Sequence, residues 1–326
     1  MSASSQRRNT PALDGWGQRA AQPPREWTLR LVDAGFAGLI LILPFVWGGR
    51  QALGHLSVVL LAGWTAFWWA FHQIRSETPR WRFCGAEPLC ILAIALVALQ
   101  TVALPDSLKD QLSPHIDQLL AGWTDQPDES IGIGLWSTLS FAPWQTWSDL
   151  VTLIAVMTIF FVAVQRLETA ADVHRILRWV SLSGCVTGTF GIAQYLTSNG
   201  LFYWFYQHPD TTTDTAAKAA FTNANHFADF LAMALPAQLW WSVTSFQQIA
   251  KWRDARSMNH PAPDGWRGAV IEWGPFLILV LTLCALVLSQ SRGGLMAAGV
   301  GMSVVSLLFW RQQLLDSRIG LCMLAA

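Results

Sequence analysis

Apolar stretches long enough to cross a bilayer alternate with short polar connections over most of the chain. A spanning helix needs about 20 mostly apolar residues, and runs near that length fall at about 31–48, 56–73, 88–105, 148–165, 179–197, 226–246, 273–290 and 294–310. The pattern predicts an all-α fold, a polytopic transmembrane helix bundle of about eight spans. A ninth apolar run, Ile319 to Ala326, breaks off about a dozen residues short of a span, so we expect a truncated or split protein with a missing C-terminal part on another chain. Residues 1–26, rich in Ser, Arg, Pro and Gln, carry no apolar period and read as a disordered tail, too long and polar for a signal peptide. The transmembrane helical domain is predicted over 27–326.

Hydrophobic residues make up 52% of the 326 and charged residues 13%, a balance more apolar than a water-soluble core of this length requires. The net charge of zero leaves no electrostatic footprint for nucleic acid. Charge is informative in its distribution instead. Basic residues gather in every second connection: Arg25 and Arg30; Arg75, Arg80 and Arg82; Arg166, Arg175 and Arg178; Lys251, Arg253, Arg256 and Arg267; Arg311 and Arg318. The positive-inside rule makes these connections, and the N-terminus, cytoplasmic. The alternate connections hold only Arg50, Lys109, Lys218 and Arg292, beside acids such as Asp106, Asp110, Asp210 and Asp214. The 19 tryptophans fit several spans with two busy interfaces. The five cysteines are scattered, with no spacing that would hold zinc, and no metal or cofactor is expected.

The largest outer loop, 106–147, contains Leu108, Leu112, Ile116 and Leu119/Leu120 at helical spacing, which suits a helix lying on the membrane surface or one packed on the bundle. Ser140 or a neighbour is placed to cap the fourth span, with Pro143 in its first turn. No repeat of about 20–50 residues and no duplicated half is visible, which argues against many transporter folds.

Two polar concentrations interrupt the apolar pattern. In "SQSRGG" (Ser289 to Gly294), Arg292 falls at the outer link between the seventh and eighth spans. It could complement the dipole in the last turn of the seventh helix, with Gly293 or Gly294 in the left-handed C-terminal conformation. The same guanidinium, with Ser291, Gly293 and the start of the eighth helix, would equally favour a bound phosphate or diphosphate. In "FTNANHFAD" (Phe221 to Asp229), one of Thr222, Asn223 or Asn225 serves as an N-cap, but one cap does not explain them all. Asn225, His226 and Asp229 project to neighbouring positions on a helix, either as a polar site or with Asp229 paired to Arg292 as a structural staple. Gln194 and Tyr195 end the fifth span, and His115 and His208 are expected to be solvated in outer loops.

"FTNANHFADFLAMALP" opening one span and "LSQSRGGLMAAG" joining two later ones resemble the O-antigen ligase and polymerase superfamily of bacterial inner membranes. "LSFAPWQTWSDLVTLI" and "GTFGIAQYLT" follow the family's order, so the resemblance covers about residues 88–310. It implies a GT-C-like glycosyltransferase architecture that takes sugar from an undecaprenyl-diphosphate-linked glycan at the periplasmic face, without metal or cofactor. The acceptor would be a lipid, glycan or protein hydroxyl. It further implies that Arg292, flanked by Ser291 and Gly293, contacts the donor diphosphate. Asn223, Asn225 and His226 would shape the same cavity, together with Asp229 and Gln194. In ligases of the family the acceptor base is thought to be a histidine of a later periplasmic loop; the chain stops before such a loop, and His226 is the substitute candidate. Two other readings stay open: a transporter or flippase of a lipid-linked or anionic solute, and an inactive truncated or accessory subunit.

Overall fold

The computed structural model describes residues 27–49, 51–113, 138–256 and 266–312. They form α1 (Trp27–Leu41), α2 (Ala52–Arg75), α3 (Glu87–Leu99), α4 (Asp106–Leu112), α5 (Pro143–Arg166), α6 (Ala170–Leu196), α7 (Ala224–Arg256), α8 (Trp266–Leu288) and α9 (Arg292–Arg311). No strand occurs among the described residues, only an isolated bridge between Phe202 and Tyr206. Five helices are long and apolar enough to cross a membrane: α1 extended through its following 3-10 turn to Phe45, α2, α5, α6 and α9. α3 and the Trp273–Leu288 part of α8 are apolar but shorter. This is the build of a helical membrane protein. The expected tail, the segment 114–137 with His115, Ile116, Leu119 and Leu120, and the ninth apolar run lie outside the described residues.

Each predicted apolar segment falls largely within one helix, the third of them in the shorter α3, which ends at Leu99 and not at 105. α1 stops at Leu41, and the chain turns through two short 3-10 segments (Leu43–Phe45 and Trp47–Gly49) instead of continuing to 48. Pro44 and Gly48, the latter at φ 61°, favour the turn. α7 runs past its predicted end at 246 to Arg256, because backbone hydrogen bonding continues where the apolar run does not. α5 begins at Pro143, as expected, but its N-cap is Ala142 and no side chain caps it; Ser140 Oγ instead accepts from the Ala142 N–H at 3.2 Å while sharing a 2.7 Å hydrogen bond with Thr146 Oγ1. α4 exposes Leu108 and Leu112.

Packing divides into two groups. α1, α2 and α5 pack together, with α3 leaning on α5; α7 packs on α8, α9 and α6; α1 joins the groups through α6. Between helices in lipid the hydrophobic drive is absent, and close approach of small residues supplies the contact. A Cβ on Gly184 of α6 would lie 2.4 Å from Ala234 Cβ of α7, and one on Gly35 of α1 would lie 2.2 Å from Thr65 Oγ1 of α2. The larger core, around Phe227, Leu231, Leu235 and Leu286, is fully buried.

At the end of the bundle where α5 turns into α6, four charges meet, Asp33, Arg166 and Asp172 buried and Arg175 half-buried. Arg166 donates to Asp33 at 2.9 Å and to Asp172 at 3.2 Å, and Arg175 reaches Asp33 and Asp172, each at 3.1 Å. Asp172 also closes a capping box with Thr169 at the start of α6. Arg166 and Arg175, expected only as loop charges, thus tie α5 and α6 to α1.

Candidate functional site

The opposite end of the bundle carries the starts of α7 and α9. α8 and α9 are joined by a tight turn in which Gln290 takes the left-handed conformation at φ 57°. Gly293 and Gly294 are not the left-handed residues; they belong to the first turn of α9. Ser291 is the N-cap, its Oγ accepting from the Gly294 N–H at 3.2 Å, and Ser289 Oγ in turn accepts from the Ser291 N–H at 3.3 Å. Arg292 is therefore the first residue of α9 and not part of a helix C-terminus.

That position changes the reading of Arg292. A cation at a helix N-terminus opposes the macrodipole, an arrangement disfavoured by roughly 0.3–1 kcal/mol. The side chain is exposed and has no hydrogen-bond or ion-pair partner among the described residues. The two glycines behind it differ. Gly294 is required by packing, since a Cβ there would lie 2.5 Å from Ala228 Cβ of α7. Nothing stands within 4 Å of a Cβ on Gly293, so its exposed backbone is approachable.

The Gly294–Ala228 contact sets the start of α9 against the first turns of α7. Asn223 is the cap of α7: its Oδ1 accepts from the Asn225 N–H at 2.8 Å and its carbonyl from the Phe227 N–H at 3.2 Å. Asn225 and Asp229 lie exposed one turn apart, with His226 half-buried beside them. No ion pair joins Asp229 to Arg292, so the structural staple that the sequence left open is not formed. Gln194, in the last turn of α6, is buried away from this surface. With its amide oriented to satisfy both neighbours, it donates to Ala219 O and accepts from the Tyr203 N–H, each at 2.7 Å.

The loop 197–223 covers this end. Tyr203 donates its hydroxyl to Phe45 O, and burial pushes its pKa up to about 12. Trp47 packs edge-on against Tyr203 and Tyr206. Ala217 N–H donates to Leu288 O at 3.0 Å, and Gln290 Nε2 to Thr215 O at 3.3 Å, fastening the loop to the α8–α9 turn. Between loop, α7 start and Gln290 lies an open cavity of about 620 Å³. Asn223 is the one residue predicted for the site that lines it; Arg292 does not.

His208 and Lys218, both expected as solvated loop residues or simple outer charges, line this cavity, and Lys218 is buried. The signal for Lys218 was present in "TAAKAAF": a lysine inside a small apolar run does not fit an otherwise polar loop, and Ala216, Ala217, Ala219, Ala220 and Phe221 are all buried. Among the described residues no group of three or more His, Cys, Asp or Glu is placed to share a metal ion.

No family model, no curated protein and no solved structure matches the chain. The functional reading therefore stands on the residues themselves. They offer an uncompensated guanidinium, approachable backbone at a helix start, a neighbouring polar helix start and an open cavity at one end of an apolar bundle.

Proposed function

We propose that the protein is a membrane glycosyltransferase of the O-antigen ligase and polymerase type. It moves an oligosaccharide from undecaprenyl diphosphate to a lipid, glycan or protein hydroxyl at the periplasmic face of a bacterial inner membrane. In this reading the helices form eight spans of a GT-C-like bundle with the N-terminus in the cytoplasm, as the alternation of basic connections requires. The observation that carries the proposal is Arg292, an unpaired, exposed guanidinium at the helix end that disfavours a cation unless an anion joins it.

A departing diphosphate gains negative charge as the glycosidic bond breaks. A fixed guanidinium and helix-start N–H groups stabilise that charge without reorganising. Ser291 holds the turn, Gly293 leaves the backbone accessible, and Asn225 and Asp229 present polar groups to an acceptor. His226 is the candidate to take the acceptor's proton, being the histidine nearest in sequence to these groups.

The test is Arg292→Ala in cells or proteoliposomes supplied with lipid-linked glycan. Removal of one such donor lowers turnover by roughly 10²–10³-fold, so glycan transfer should be lost while membrane insertion persists. Unchanged transfer removes Arg292 from the mechanism. Vesicle uptake of solute without a new glycosidic bond would move the assignment to a transporter.

A further inference from the structure

The Lys218 ammonium is the least compensated buried charge of the loop that covers this end. Lys218 is only 8% exposed, and its Nζ donates to two neutral acceptors, Thr211 Oγ1 at 2.9 Å and Thr212 O at 2.7 Å. It has no ion-pair partner among the described residues. Asp214, the nearest acid in the sequence, is exposed and takes a hydrogen bond from Thr212 instead. A buried charge is normally paired, and an ammonium carries three donors, of which two are used. Lys218 also forms part of the wall of the open 620 Å³ cavity. An unpaired cation in the wall of a cavity calls for a counter-charge from the ligand.

The remaining lining specifies what carries that charge. Thr215 and Thr222 present hydroxyls without partners among the described residues. Asn223 and Gln290 each use one end of the amide within the protein and keep the other, Nδ2 as donor and Oε1 as acceptor. His208 Nδ1 accepts from the Asp210 N–H at 3.1 Å, which leaves the ring proton on Nε2. Paired donors and acceptors of this kind suit hydroxyl groups. The volume lies within the range of about 300–1,000 Å³ typical of small-molecule sites and exceeds what a lone ion needs. With one buried cation, no arginine fork in the wall and Asp210 on the rim, the cavity disfavours a phosphate dianion and fits a single negative charge.

We propose that this cavity is a recognition site for a hydroxyl-rich monoanion, an acidic sugar whose carboxylate pairs with Lys218. Burial holds the lysine below its ordinary pKa, and the attraction of Asp214, which is not within ion-pair distance, opposes this only in part. The cavity adjoins the proposed diphosphate-binding residues through Asn223 and Gln290 but does not include Arg292, so binding there is testable without the transfer reaction.

The test is binding of D-glucuronate to the full chain in nanodiscs, measured by ligand-observed NMR beside D-glucose and acetate. Loss of a charge-assisted hydrogen bond costs on the order of tenfold or more in affinity. Glucuronate should bind at least tenfold tighter than glucose, which lacks the charge, and than acetate, which lacks the hydroxyls. Lys218→Met should abolish that preference and Lys218→Arg should keep it, with folding checked by tryptophan fluorescence. Equal binding of glucuronate and glucose by the unaltered protein overturns the proposal without recourse to any variant. So does a Lys218→Met protein that still prefers glucuronate, or acetate binding as tightly as glucuronate, which marks a simple anion site.

Discussion

The buried charges joining α1 to the α5–α6 turn allow a quantitative test. Asp33→Asn keeps size and a hydrogen-bond acceptor but removes the carboxylate that receives Arg166 at 2.9 Å and Arg175 at 3.1 Å. Of the two carboxylates that face Arg166 and Arg175 only Asp172 then remains, and these four side chains pass from balanced charge to an excess of one positive charge. The Arg166 side chain is 6% exposed and that of Asp172 8%, so water does little to screen the excess. Removing one partner of a buried pair typically costs about 3–5 kcal/mol. Because Asp172 still serves both arginines, we expect the lower end, about 3 kcal/mol, which shifts the unfolding equilibrium by on the order of 10². The assay is reversible unfolding by SDS in mixed micelles, followed by the fluorescence of the 19 tryptophans. The double variant Asp33→Asn/Arg175→Gln restores neutrality and should be more stable than Asp33→Asn alone. An Asp33→Asn protein within about 0.5 kcal/mol of the parent, the range of ordinary surface changes, would refute the reasoning, as would a double variant no better than the single.

Two other predictions concern the opposite end. Gly294→Ala places a methyl 2.5 Å from Ala228 Cβ and should destabilise by about 1–3 kcal/mol through overpacking, measured by the same unfolding; Ala228→Gly in that background should recover most of the loss, and equal loss in the double variant would put the cause elsewhere. Tyr203, with its pKa raised from 10.0 to about 12, contributes stability that is complete below pH 10 and is lost as pH rises towards 12, because the unfolded chain ionises first. Tyr203 should form tyrosinate late in an ultraviolet titration, and Tyr203→Phe should delete that late step; a parent protein with no such step would contradict it.

The fold was legible wherever a whole segment shares one environment. Lipid-facing helices such as α5 and α9 are apolar over full spanning length, so composition alone locates them. Pair-dependent features were not legible. Asp33 is a single acid in an apolar run, and its meaning depends on Arg166 and Arg175, separated from it by 133 and 142 positions. The start of the α8–α9 link was similarly ambiguous, because "SQSRGG" fits a helix end or a helix start until Gln290 is seen in the left-handed conformation. At the candidate site, the starts of α7 and α9 were readable from their caps. The cavity was not, because it is made by a loop folding back over helix ends, and no local period reports where such a loop lands.

The long separation between Asp33 and its arginines has a consequence for biogenesis. At translation rates of roughly 5–20 residues per second, the ribosome needs on the order of 10 s to deliver Arg166 after Asp33. Throughout that interval Asp33 lacks the two arginines that it meets in the folded protein, and a carboxylate is costly to hold within hydrocarbon. Insertion of the first helix is therefore expected to pause near the headgroups, with Asp33 still hydrated. On this expectation α1 should settle to full depth only once the α5–α6 turn has emerged, which would make its final seating a late event in the making of this protein.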